Sequence, residues 1–175
     1  MKKLLYIILP IFITLNCSFA DEKIVSISEG SKTAKVKIIV YESLTCGHCA
    51  EFHKKIYPEI KKDFIDTGLV NIEFRSFPLN MAALNASKIA HCNNDGNSEI
   101  LHFLFSNQRK WVKGNTIEEA NTNLKNLITD ENIKIDFDSC INNKLVEDYI
   151  LESRINGVKK FEINATPTLV IDNKK

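Results

Sequence analysis

Apolar and polar positions divide the chain into short strand-like runs and longer helical ones. Ile24 to Ile27 alternates as a short strand, and Gly30-Ser31-Lys32 reads as a turn. Val36 to Tyr41 is almost continuously apolar and β-branched, as in a buried strand. From Ala50 to about Asp66, Phe52, Ile56, Ile60 and Phe64 recur every four residues, predicting a helix with that face on a sheet. Pro58 falls inside this pattern and predicts a kink, because it lacks an N–H and crowds the preceding turn. Gly68 closes the segment, and Leu69 to Phe74 alternates again with Val70, Ile72 and Phe74 on one face. A strand, a helix and a second strand joined by a right-handed crossover predict a parallel pair.

A long stretch without strand signals follows. Met81 to Cys92 is Ala-rich and helical, and Leu101, Leu104, Phe105, Gln108 and Trp111 keep helical spacing. Ile117 to Leu127 and Leu145 to Val158 supply two more helices. Strand character returns from Ile163 to Ile171, broken by Ala165-Thr166-Pro167-Thr168. The pattern predicts an α/β sheet into which a helical domain is inserted.

The first twenty residues read as a secretory leader. Lys2 and Lys3 form a basic start, Leu4 to Leu15 is an apolar run, and Ser18-Phe19-Ala20 offers a small-x-small cleavage site before Asp21. The run is short of the roughly 20 residues a membrane-spanning helix needs. Cys17 raises a lipoprotein alternative, but Thr14-Leu15-Asn16 fits that cleavage pattern poorly. The expected organisation is a signal peptide at 1–20, a first part of the sheet domain at 21–78, the inserted helical domain at 79–157, and the second part of the sheet domain at 158–175. Of 23 basic and 22 acidic side chains, Lys2 and Lys3 lie in the leader, so the remainder carries about one net negative charge. That balance points to neither nucleic acid nor a membrane surface as partner. Four cysteines remain, an even number in a chain bound for a compartment where disulfides persist.

The chemistry concentrates at Cys46-Gly47-His48-Cys49, a C-x-x-C between the buried strand and the helix. This context is strongly specific for a thioredoxin-like redox motif. A thiol at a helix start faces unpaired backbone N–H groups and the positive end of the helix dipole, which favour the nucleophilic thiolate. Cys46 is the expected attacking thiol, and Cys49, one turn deeper, closes the ring. Gly47 and His48 are expected to tune the pair, with the His48 imidazole stabilising the Cys46 thiolate. A structural zinc site is disfavoured, since Cys92 and Cys140 form no second C-x-x-C. His53, His91 and His102 read as surface or helix-face residues.

These residues resemble the bacterial thiol:disulfide interchange proteins of the DsbA type. The likeness rests on Cys46-Gly47-His48-Cys49, the inserted helices and Ala165-Thr166-Pro167-Thr168. Tyr41-Glu42-Ser43-Leu44-Thr45-Cys46, Arg75-Ser76-Phe77-Pro78-Leu79 and Asn107-Gln108-Arg109-Lys110-Trp111 add to it, over about Lys35 to Ile171. The resemblance implies a thioredoxin-like sheet with a helical cap, and a cis Pro167 beside the disulfide. Thr166 and Pro167 would then dock an extended substrate as an added strand. It also implies exported unfolded or misbonded proteins as substrates in the periplasm, no cofactor or metal, and a membrane redox partner, either a DsbB-type oxidant or a reductant. With only about fifteen residues before the first core strand, a monomer is expected. Cys92 and Cys140 are expected to form a second, structural disulfide.

The chain departs from the family in four places. The Gly-His pair and Thr166 are also found in isomerases, leaving oxidase and isomerase or reductase open. The usual buried acid, six residues before the first cysteine, is Val40 here, and Glu42 on the same strand face is the candidate substitute. The sequence stops at Lys175, before the family's last strand and helix. C-terminal truncation of the fold predicts one uncovered sheet face, a marginally stable product, and a non-catalytic product of a shortened gene as the competing reading.

Overall fold

The computed structural model describes residues 23–175, so the proposed leader and Cys17 lie outside the described residues. Four strands form one sheet: β1 (Ile27–Glu29), β2 (Val36–Glu42), β3 (Val70–Ser76) and β4 (Thr168–Ile171), in the order β1-β3-β2-β4. β2 and β3 run parallel from Val36 beside Val70 to Glu42 beside Ser76, as the strand–helix–strand pattern predicts. β1 pairs antiparallel with β3, and β4 antiparallel with β2. The first strand begins at Ile27, where the alternation of Ile24–Ile27 ends, because Val25 N–H bonds to the Asn94 side chain instead of a strand partner.

Between β2 and β3 the chain is helical without interruption but not uniformly α. α1 (Gly47–Glu51) passes into a π turn at Phe52–Ile56, then α2 (Tyr57–Ile60), then a second π turn at Lys61–Ile65. Each π turn admits one extra residue and shifts the buried face by that residue. Cys49, Phe52, His53, Tyr57 and Ile65 are buried, while Ile56 and Phe64 are about half exposed. The four-residue spacing holds, but the buried row is Cys49, His53, Tyr57 and Ile65, one residue from the expected row. Pro58 supplies the reason for the first shift. It has no N–H for the α ladder, and the Tyr57 N–H bonds back five residues to Phe52 O.

The helical block comprises α3 (Met81–Ala90), α4 (Glu99–Ser106), α5 (Gln108–Trp111), α6 (Ile117–Asp130), α7 (Phe137–Ile141) and α8 (Lys144–Phe161). Side-chain oxygens of Asn80, Thr116, Asp136 and Asn143 accept backbone N–H groups at the starts of α3, α6, α7 and α8. α7 has no counterpart in the periodicity because five residues give too little pattern. The indole N–H of buried Trp111 donates to Leu104 O at 3.0 Å, locking α5 onto α4.

Strand alternation sorts the core. Ile38, Val40, Ile72 and Phe74 face Cys49, Phe52 and Tyr57 on one side of the sheet. On the other side Tyr41 and Val170 pack with Phe77, Phe161 and Ile163. That second face was expected to be bare. Instead α8 and the segment after it cover its centre, and Tyr41 and Val170 are fully buried. Only its margin is open, where Ile39 is half-buried. The cover was illegible because α8 carries apolar residues around its whole circumference rather than in one stripe.

Candidate active site

β2 delivers the chain to the site, and Ser43-Leu44-Thr45 turns it into α1. The turn is closed by the Cys46 N–H donating to Ser43 O at 2.9 Å. Cys46 occupies the N-cap position of α1, with extended backbone and its side chain half-buried. Cys49, one turn on, is completely buried. Gln108 of α5 reaches across from the helical block: its Nε2 donates to Leu44 O at 2.8 Å and to Cys46 O at 3.0 Å. From the far end of the chain, Thr166 places its carbonyl oxygen 3.3 Å from Cys46 Sγ. The Thr166–Pro167 peptide is cis, and Pro167 leads directly into β4, the strand that pairs with β2.

The two thiols differ sharply. For Cys46, partial burial works against ionisation, but the Thr166 side chain, the backbone N–H and thiol of Cys49 and the His48 backbone N–H together hold its pKa below the ordinary thiol value. For Cys49, burial pushes the thiol well above that value, and the neighbouring Cys46 adds to the rise. One thiol is half-exposed with its acidity enhanced, and its partner is buried with its acidity suppressed. His48 acts on Cys46 through its backbone N–H, whereas the expectation assigned this to its imidazole; the side chain is exposed and lines a cleft. A Cβ built on Gly47 meets nothing within 4 Å, so the glycine is not required for space. The cleft, about 820 Å³, runs between α1 and the α4–α5 corner, past Gly47, His48, Lys54, Gln108 and Arg109.

Glu42 is buried at the end of β2, and its Oε2 lies 2.7 Å from His53 Nε2. Of the three histidines read as surface or helix-face residues, His53 and His91 are buried and His102 is largely enclosed, so none lies free on the surface. His53 lies four residues beyond Cys49, on the buried side that the π turns create. It shares a four-residue row with Cys49 and Tyr57, but a polar side chain adds no apolar signal to that row. Cys92 and Cys140 come together between α3 and α7, with Cα atoms 5.2 Å apart. No group of three or more His, Cys, Asp or Glu side chains among the described residues is arranged to hold a metal ion.

A family model described as thioredoxin matches residues 22–175. The chain is 33% identical to α-DsbA1 of Wolbachia pipientis, whose crystal structure superposes with a TM-score of 0.73 over 86% of this chain and 77% of that one. The chain belongs to the DsbA-type thioredoxins. Among curated relatives it is 30% identical over 147 residues to a Rickettsia conorii protein provisionally named a protein-disulfide oxidoreductase, covering 82% of this chain and 52% of the relative. It is 28% identical over 155 residues to disulfide bond formation protein D of Bacillus subtilis, covering 83% of this chain and 67% of the relative. This DsbA-type chain thus spans about half the length of the Rickettsia relative.

Proposed function

We propose that this chain is a thiol–disulfide oxidoreductase of exported proteins, acting in the periplasm through Cys46 and Cys49. The observation that carries the reading is the asymmetry of the pair: Cys46 accessible with a lowered pKa, Cys49 buried with a raised one. In the oxidising direction, a substrate thiolate attacks Cys46 of the Cys46–Cys49 disulfide. The S–S bond breaks, Cys49 leaves and takes a proton, and a mixed disulfide forms at Cys46. A second substrate thiolate then attacks the substrate sulfur of that bond and expels Cys46 as the thiolate. The substrate has lost two electrons to the enzyme pair. The lowered Cys46 pKa makes it the better leaving group and favours this direction. Thr166 and Pro167 border the reacting sulfur, and the Thr166 backbone docks the extended substrate there. Cys92 and Cys140 form a structural disulfide away from the chemistry.

The partners of this reading are unfolded or misbonded exported proteins and a membrane redox partner, of the DsbB type if the pair works as an oxidant. No helix among the described residues is long and apolar enough to cross a membrane. The deciding experiment is equilibration of the Cys46–Cys49 pair with glutathione. A potential near about −120 mV supports an oxidant, and one near about −180 mV supports isomerase-like exchange. A pair that neither forms a disulfide nor exchanges with glutathione sinks the proposal.

A further inference from the structure

Apart from the cysteine pair, four ionisable side chains from four elements form one enclosed hydrogen-bonded line. Glu42 Oε2 of β2 meets His53 Nε2 at 2.7 Å. His53 Nδ1 meets His102 Nδ1 of α4 at 3.0 Å. His102 Nε2 meets Glu29 Oε1 of β1 at 2.7 Å. The Ser98 hydroxyl also donates to Glu29 Oε1, and the Tyr57 hydroxyl to Glu29 Oε2. His53 stacks on Phe105 with ring centres 4.1 Å apart, and His102 on Tyr57 at 4.5 Å.

The line can be counted in protons. Each link needs one, and a carboxylate at either end supplies none. Three links need three protons, whereas two neutral imidazoles bring two. Without the third, one link sets two lone pairs against each other inside the fold. Glu29 is not its holder: burial opposes ionisation there, but hydrogen bonds from His102, Ser98 and Tyr57 outweigh it and hold the carboxyl down to about 2. Glu42 Oε1 is buried without a partner, so a proton on Glu42 is the competing way to complete the line, and the count of ring protons separates the two.

We propose that His53 and His102 share one extra proton between Glu42 and Glu29, and that this imidazolium pair sets the charge beneath the Cys46–Cys49 site. The proposal rests on the redox reading of those cysteines. His53 follows Cys49 by four residues along one helix, roughly 6 Å of axial rise, and lines the cleft that His48 lines. With the shared proton, the four groups carry a net charge of about −1. Without it they carry about −2. The added negative charge opposes the Cys46 thiolate and makes the pair less oxidising. His53 and His102 are thus positioning residues that exchange no atom with substrate. The other charges acting at this end are Lys61, which feels Glu29, and Asp66, which acts on Tyr57; Lys54 stands on the cleft wall.

Glu29→Gln separates this from a packing role. A glutamine at position 29 can donate to His102 Nε2, so two neutral rings satisfy all three links. The variant keeps the charge near −1 at every pH, whereas the natural protein falls to −2 once the shared proton leaves. Ring 15N spectra of the natural full-length protein should show three protons on the four nitrogens of His53 and His102 near neutral pH, and two in Glu29→Gln. Glutathione equilibrium constants of the two proteins should agree near about pH 6 and separate several-fold by about pH 9, the natural protein becoming the weaker oxidant. His102→Gln, which cannot titrate, should also lose the pH-dependent bend. Two ring protons in the natural protein at neutral pH would overturn the proposal, as would superimposable pH profiles of the natural protein and Glu29→Gln. Cysteines that fail to exchange at all, with the three-proton count intact, would sink the redox reading and leave the shared proton standing.

Discussion

Cys46 Sγ and Thr166 O lie 3.3 Å apart although 120 residues separate them in sequence. The contact brings the reactive sulfur against the backbone that precedes β4, while Cys49 Sγ closes the site from behind. The pair should divide the work accordingly. Cys46→Ser should abolish thiol oxidation. Cys49→Ser should accumulate mixed disulfides with substrate at Cys46, because the resolving thiol is gone. Non-reducing gels and mass spectrometry of the adducts measure this, and adducts held at Cys49 in the converse variant would reverse the assignment.

Gly157 on α8 lies against the fully buried Tyr41 ring. A Cβ at that position would stand 2.6 Å from Tyr41 Cε1. A helix gains about 1 kcal/mol when glycine becomes alanine. Overpacking against a fixed aromatic ring costs about 1–3 kcal/mol. Gly157→Ala should therefore lower stability in denaturant titration, while Gly157→Ala combined with Tyr41→Leu should recover part of the loss.

His91 has lost its water without gaining a partner at Nδ1, and burial lowers its pKa from 6.5 to about 4. Between those values the unfolded chain binds a proton that the folded chain does not. This contribution to stability is thus full above about pH 6.5 and is lost as pH falls toward about 4, by up to about 3 kcal/mol. His91→Phe should flatten that limb of the stability–pH curve. An unchanged limb would assign it to other groups.

Bonding Cys92 to Cys140 closes a sequence separation of 48 residues. In the chain-entropy account such a loop stabilises by up to about 4 kcal/mol. The double variant Cys92→Ala/Cys140→Ala should unfold at lower denaturant concentration, with the Cys46–Cys49 potential unchanged. Peptide mapping without reductant checks the pairing itself, and two alkylatable thiols at these positions would remove it.

The central part of this architecture was legible. β2, β3 and the helix between them follow from alternation and a four-residue period, and C-x-x-C between strand and helix marked the candidate pair. What escaped has identifiable physical causes. The π turns at Phe52–Ile56 and Lys61–Ile65 keep His53, Tyr57 and Ile65 in the buried row, one residue from the row that the apolar residues Phe52, Ile56, Ile60 and Phe64 suggested. Glu42 was singled out from its place on β2, but Glu29, His53 and His102 come from three further elements, and no local spacing joins them to it. Gln108 lay within a recognisable run, but its two bonds to the Cys46 loop span more than sixty residues. Cover of the second sheet face by α8 depends on packing at Tyr41 and Gly157 that composition does not encode.

The bonds made by Gln108 and Thr166 also have a bearing on time. The groups that depress the Cys46 thiol arrive from its own helix and from the last dozen residues of the described chain, and the loop they act on is held by a side chain 62 positions downstream. A chain still emerging from synthesis or crossing a membrane has none of these long-range partners in place. Its Cys46 then lacks the part of the acidity that Thr166 supplies and keeps only what its own helix gives. On the proposed reading, a chain that has formed only this helix carries a milder thiol than the folded protein, and the last increment of acidity waits for the contact at Thr166.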